Sequence, residues 1–438
     1  MPVNVDLDDL IERQRFWHSG VWILAWAILS MIADGFDLLS ISYVAPYIIG
    51  DWGLTKASFG PVFSAAYAAM MVGGIAAGYF ADTFGRKRTL VLATLLLGVS
   101  TLGSAFATTL SELIAWRVVA GLGIGAVPPV AIVMVNEFAP RRLRATIVAG
   151  VYLGTTLGNM LAGVVAAFLV PAYGWPIMFV IGGVSPLLVC IGLALALPES
   201  LRFLITRRPD SPQIRKIAAR LAPSAQLDSD TRFTMASETP RSPVRLAELF
   251  CAGRWNTTLL FWLAYFCSGL TLTTLLSWWP TALTALGVSV AHAALITSLS
   301  SLAGWTGGVI ITRCMDRFGL RAMIVPPLVG FPLLLIIGHL GGAPELLIMM
   351  ISVFVSMAYS GGHTGLHATG GLIYPTSVRA NGVALGLFVT RLAGVVAPTV
   401  SGILFTGTEG VVRVLSVTAM PLLVVSASYV GLARVRTR

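Results

Sequence analysis

Residues 21–49 read VWILAWAILSMIADGFDLLSISYVAPYII, an apolar run holding two aspartates, Asp34 and Asp37. A bilayer core is crossed by roughly 20 helical residues at about 1.5 Å each, so this run is long enough to span one. At that depth a carboxylate costs several kcal/mol unless it is protonated, paired or facing water. Three residues apart, the two side chains share one face of a helix. Two acids on one face suggest a proton or cation site. A structural polar network is the alternative reading, although helix packing rarely requires two acids.

The rest of the chain has the same character. Of its 438 residues 56% are hydrophobic and 11% charged, and the mean hydropathy is +0.85. A water-soluble chain of this length would carry about 25% charged residues. Twelve spans are expected, near 21–48, 58–81, 89–108, 111–135, 145–169, 176–197, 256–281, 291–312, 322–341, 345–370, 380–405 and 411–433. The third and ninth are the weakest. The N-terminal Asp6, Asp8, Asp9 and Glu12 argue against a secretory signal, as does the length of the first apolar run.

Of the 29 Lys and Arg residues, 25 fall on one side of this arrangement. The positive-inside rule makes that side, with both termini, cytoplasmic, in a bacterial-type inner membrane. The net charge of +10 is thus a topology signal and gives no reason to expect nucleic-acid binding. Cys190, Cys251, Cys267 and Cys314 form no CxxC motif and are expected to act as small apolar residues.

Two motifs repeat. Asp82-Thr-Phe-Gly-Arg-Lys returns as Asp316-Arg-Phe-Gly-Leu-Arg, and Pro140-Arg-Arg-Leu-Arg-Ala returns as Pro375-Thr-Ser-Val-Arg-Ala, at nearly the same offset. The expected fold is therefore an all-α membrane protein of two pseudo-symmetric six-helix bundles, residues 1–197 and 255–438. A cytoplasmic linker, 198–254, joins them, with an amphipathic surface helix at 211–222 and a flexible stretch at 223–244. Duplicated halves suit alternating access about a central site.

GYFADTFGRKRTL (Gly78–Leu90) and RVVAGLGIG (Arg117–Gly125) resemble signatures of the major facilitator superfamily. Within it the chain resembles the aromatic acid:proton symporter family. That likeness rests on DGFD (Asp34–Asp37), PESLRFL (Pro198–Leu204), WWPTALTALG (Trp278–Gly287) and YPTSVRANGVALGLFVTRLAGVVAP (Tyr374–Pro398). PESLRFL also resembles a sugar-porter motif. The resemblance implies a major facilitator fold and proton-coupled import of a benzoate or hydroxybenzoate. A sugar or non-aromatic organic-acid symporter, or a membrane receptor for aromatic acids, remains as an alternative. The tenth span departs from the family in carrying His363 and His367 where amides are usual.

Arg391 lies twelve residues beyond Arg379, about 18 Å along a helix and so near mid-membrane. It cannot shed its charge and offers a planar fork that fits a carboxylate, which makes it the leading substrate contact. A permanent structural pair with an acid is the competing role. Asp34 and Asp37 are the proton-coupling candidates, with Arg117 as a partner whose pairing breaks on protonation. His363 and His367, four residues apart, can face one cavity, and two histidines alone do not make a metal site. Tyr152, Asn159, Tyr265 and Phe388 are further substrate-binding candidates, each with packing as the plain alternative. Asp82 with Arg86, and Asp316 with Arg321, are candidate conformational latches. Gly121, Gly123 and Gly125, and likewise Gly150, Gly154 and Gly158, suggest close helix packing. No nucleophile–base constellation, metal cluster or Walker motif is found, so neither an enzyme nor an ATP-driven pump is expected. No cofactor is implied beyond protons as coupling ion. The expected partners are a small carboxylate and the bilayer, without an obligatory protein.

Overall fold

In a bilayer every backbone N–H and C=O must be satisfied within the protein, which leaves helices as the natural answer for such apolar runs. The computed structural model describes residues 4–6, 9, 11–12, 20–209, 211–221, 232–234, 246–251, 254–407 and 409–436. Six long helices make the first half: α1 (Val21–Asp51), α2 (Lys56–Phe84), α3 (Arg86–Ser104), α4 (Leu110–Phe138), α5 (Arg144–Tyr173) and α6 (Pro176–Ala196). Two short helices follow, α7 (Leu201–Arg207) and α8 (Pro212–Leu221). The second half holds α9 (Trp255–Ala285), α10 (Val290–Phe318), α11 (Val325–Gly338), α12 (Glu345–Ile373), α13 (Thr376–Leu404) and α14 (Gly410–Arg436).

Ten stretches among the described residues are long and apolar enough to cross a membrane, rather than twelve. Arg86, Lys87 and Arg88 open α3 and lower its hydropathy, so that helix falls short. The eighth and ninth spans run together as 290–338, through a 3-10 segment at Gly319–Ile324 that leaves α11 only 14 residues long. These are the two regions where hydropathy is weakest as a guide.

The sequence repeat is also a backbone repeat. Gly85 ends α2 with φ 109° and Gly319 ends α10 with φ 59°, each closing the Asp-x-Phe-Gly turn in a conformation that side chains disfavour. Helix pairing repeats too. α1 packs on α5 and α2 on α4, as α9 packs on α13 and α10 on α12. Small residues permit these approaches: a Cβ on Gly158 would lie 2.1 Å from the Ile32 carbonyl oxygen, and one on Gly125 2.0 Å from that of Met70. Gly150 is different, because a Cβ added there would meet nothing within 4 Å.

The halves meet through α2 against α13, α5 against α10 and α1 against α9. One apolar core joins them at the ends remote from the Arg-rich loops, including Phe59, Phe63, Trp278, Leu283 and Phe405. The Trp278 indole donates to the Pro398 carbonyl at 2.9 Å, and its ring meets Phe63 at 5.2 Å. Toward the Arg-rich ends the core divides into two separate clusters, one for each half. The molecule is therefore closed on one side and parted on the basic side.

α8 is docked rather than free: Ile214, Ile217 and Ala218 are buried in the core of the first half, with Leu201 and Leu204 of α7. The stretch 223–244, expected to be flexible, lies outside the described residues except for β2 (Arg232–Thr234). That strand pairs in parallel with β1 (Asn4–Asp6). Cys190 and Cys267 are buried, Cys251 is exposed, and all four cysteines are free.

Candidate functional site

The two aspartates of α1 have separate surroundings. Asp37 turns into the first half, wholly buried, and both its oxygens accept from Arg117 Nη1 at 3.1 Å. Thr101 of α3 donates to Asp37 Oδ1 at 2.7 Å. Arg117 spends its remaining nitrogens on Ser104, at 3.3 and 3.1 Å, and Thr101, at 3.3 Å, and stacks over the Phe179 ring at 5.1 Å. Every strong group in this cluster has a partner. Its net charge is zero, which is how a buried pair becomes tolerable.

Asp34 is also buried, at 2% exposure, yet its Oδ1 has no hydrogen-bond partner. Thr155 Oγ1 and Asn159 Oδ1, both on the neighbouring α5, share that state. Buried polar atoms are nearly always satisfied, so three unpartnered ones along one helix contact mark a place for water or ligand. Arg391 reaches from α13 toward α2 across the boundary between the halves. Its Nη1 donates to the Met70 carbonyl at 2.8 Å, and Gly74, whose Cβ would lie 3.9 Å from the guanidinium, leaves it room. Asp34, Tyr152 and Tyr67 lie within electrostatic reach of Arg391, but no ion pair joins Arg391 to an acid among the described residues. The rest of its donor fork is uncommitted.

His363 and His367 converge on one tyrosine. His367 Nδ1 lies 3.0 Å from the Tyr265 hydroxyl, and His363 Nδ1 lies 2.9 Å from Ser268 Oγ. The two imidazoles stand edge to face at 5.5 Å, and Tyr265 sits 6.1 and 5.9 Å from them. Tyr265 is fully buried, whereas His367, in the last third of α12, and Tyr152, in the first third of α5, are exposed toward the opening between the halves. Phe388, one turn before Arg391, is half-buried. Arg391, Tyr152, Tyr265 and the two histidines thus follow one another along the boundary.

Three tyrosines that sequence reasoning passed over stand at its closed end. Tyr43 donates to the Asn159 carbonyl at 3.2 Å, Tyr67 packs on Gly394 of α13, and Tyr359 lies close to both. Nothing in their sequence context separates them from packing aromatics.

At the basic face, Arg86 bonds Asp82 at 2.9 Å and Glu137 of α4 at 3.1 Å. Glu137 also accepts from Ser200, and Glu199 accepts from the Lys87 and Ser200 amides at 3.0 and 2.9 Å. The PES residues therefore knit the α2–α3 turn to α4 within the first half; Glu137, Glu199 and Ser200 were not anticipated as members. Asp316 and Arg321, the repeat of Asp82 and Arg86, are both exposed and make no ion pair with each other. The second half has no carboxylate at the position of Glu137 to organise them.

Two six-helix halves, closed at one end, parted at the other and holding charges at mid-membrane, form the architecture of an alternating-access carrier. The profile of the Major Facilitator Superfamily matches residues 26–259, and the chain belongs to that superfamily. Among curated proteins, it is 31% identical to the 4-hydroxybenzoate transporter PcaK of Acinetobacter baylyi, with 91% of this chain and 88% of that one covered. It is likewise 31% identical to the gallate transporter of Pseudomonas putida, over 92% and 89%. Among solved structures, the xylose transporter XylE from E. coli superposes with TM-score 0.71 at 20% identity, covering 92% and 95%. A bacterial homologue of the lysosomal transporter Spinster superposes with TM-score 0.74 at 17% identity, covering 95% and 97%.

Proposed function

We propose that this protein imports an aromatic carboxylate of the benzoate or hydroxybenzoate class together with protons. Its termini and Arg-rich loops face the cytoplasm of a bacterial inner membrane. The observation that carries the reading is the Arg391 guanidinium, held at the boundary of the halves with most of its donor fork uncommitted and Asp34 nearby. A substrate carboxylate satisfies that fork, and a proton satisfies Asp34. Asp37 and Arg117 brace the first half as a neutral unit. Tyr265, His363 and His367 offer hydroxyl and ring nitrogens to substituents on the aromatic ring, with Tyr152 and Phe388 as apolar walls. The names of the two curated relatives support an aromatic acid as the cargo.

The test is uptake of labelled 4-hydroxybenzoate into proteoliposomes, with and without an imposed proton gradient, for wild type and Arg391→Lys. Gradient-driven accumulation is expected. Affinity should fall about tenfold or more in the variant, roughly 1.4 kcal/mol, because an ammonium cannot reproduce the fork. Unchanged affinity in a folded Arg391→Lys protein would remove Arg391 from the site.

A further inference from the structure

A second cavity, of about 470 Å³, lies on the basic face of the first half and well away from the boundary between the halves. Three separate elements aim cations into it: Lys87 and Arg88 open α3, Arg208 follows α7, and Lys216 and Arg220 stand one turn apart on α8. None of these five makes an ion pair among the described residues. The lining includes one carboxylate, Glu199, and its Oε1 is already taken by the Lys87 and Ser200 amides. The cavity therefore sets five cations against one carboxylate, which lies beside Lys87, and holds a net excess of positive charge.

Its other wall is apolar. Trp22 at the start of α1, Phe84 at the end of α2 and Leu195 at the end of α6 complete the lining, and Leu195 is 82% exposed. A tryptophan at a helix end marks headgroup depth, and Leu195 continues the lipid-facing surface of α6 with Ile191 and Leu188. The docking of α8 explains the arrangement. Its apolar face is buried on the first half, so its basic face is turned toward the mouth of the cavity.

Cations at headgroup depth beside an exposed hydrocarbon-facing wall match one kind of ligand. We propose that this cavity binds the headgroup of an anionic phospholipid, whose phosphate is held by Lys87, Arg88, Lys216 and Arg220 while its acyl chains lie along α6. Basic pockets beside membrane helices select anionic headgroups by this combination of charge and depth. Because α3, α7 and α8 all belong to the first half, the lipid would clamp the linker helix to that half and travel with it.

The experiment is native mass spectrometry of the full-length, delipidated protein in detergent, titrated with phosphatidylglycerol, phosphatidylcholine or inorganic phosphate. Phosphatidylglycerol should be retained about tenfold better than phosphatidylcholine. That preference should disappear in Arg88→Gln/Lys216→Gln/Arg220→Gln and persist in Arg142→Gln/Arg313→Gln/Arg317→Gln, which removes equal charge elsewhere on the same face. Lys216→Glu alone, on the exposed side of α8, gives an independent reading and should weaken retention in the same direction. Equal retention of both lipids would overturn the proposal, as would equal loss in the control variant. Displacement of the lipid by millimolar phosphate would instead make this a free-anion site and would overturn it as well.

Discussion

Asn replacement should have opposite consequences at the two aspartates of α1. Asp37→Asn keeps the shape and one acceptor oxygen but removes the charge that balances Arg117, which is 2% exposed and cannot deprotonate. Breaking a buried pair from one side costs about 3–5 kcal/mol. At about 2 °C per kcal/mol, the low end of the scaling for larger domains, the thermal midpoint in detergent should fall by roughly 6–10 °C. Asp34→Asn removes a carboxylate whose Oδ1 has no partner, so its midpoint should stay within about 1–2 °C of wild type. In proteoliposomes Asp34→Asn should still exchange labelled for unlabelled substrate but should not accumulate it against a gradient. A double variant, Asp37→Leu/Arg117→Met, removes both charges and should recover much of the lost stability, since apolar replacement of a whole buried pair is often neutral. Equal midpoints for the two single variants would refute the division of roles, as would a double variant less stable than either single.

Two further outcomes follow from packing and from the cavity wall. Gly158→Ala puts a methyl 2.1 Å from the Ile32 carbonyl and should destabilise by about 1–3 kcal/mol, while Gly150→Ala meets nothing within 4 Å and should be neutral, both read as midpoints in detergent. Tyr265→Phe removes the hydroxyl that faces His367 at 3.0 Å, and should change the ratio of 4-hydroxybenzoate to benzoate binding by about 1 kcal/mol while leaving Arg391-dependent carboxylate binding in place. Competition binding with the two acids checks it.

Most of the membrane architecture was legible because hydrocarbon enforces it: a span must be apolar and helical, and duplicated motifs must return at the same place in each half. Gly85 and Gly319 show how closely motif and backbone agree. The failures have local causes. The third span, α3, begins inside its own basic motif, and the ninth, α11, is shortened by the 3-10 segment before it. Mid-membrane charges could be found one by one, and Arg117 could be matched to the aspartates of α1, but which of the two it takes could not be read. Asp34 and Asp37 are about 60° apart around α1, so they share a face in isolation. Packing of α3 and α4 on one edge of that face, and α5 on the other, sends one acid to Arg117 and leaves the other near Arg391. Tyr43, Tyr67 and Tyr359 were illegible for the same reason, since only the meeting of two halves distinguishes a residue at their boundary from one packed within a half.

The uncommitted groups at the boundary also explain why substrate and proton should move together. Closing the basic side would bury Arg391 and Asp34 more deeply, and a bare charge taken out of water costs several kcal/mol. A carboxylate alone would neutralise Arg391 and leave Asp34 charged; a proton alone would do the reverse. With both aboard, each charge is matched and the closing penalty is smallest. On this reading coupling needs no relay between distant sites. With neither aboard, Arg391 and Asp34 balance one another, and with both aboard each is covered, whereas either alone leaves one charge unmatched as the halves meet. Asp34→Asn is permanently neutral at one of these two groups, which is why it is expected to exchange substrate freely and yet lose the ability to accumulate it.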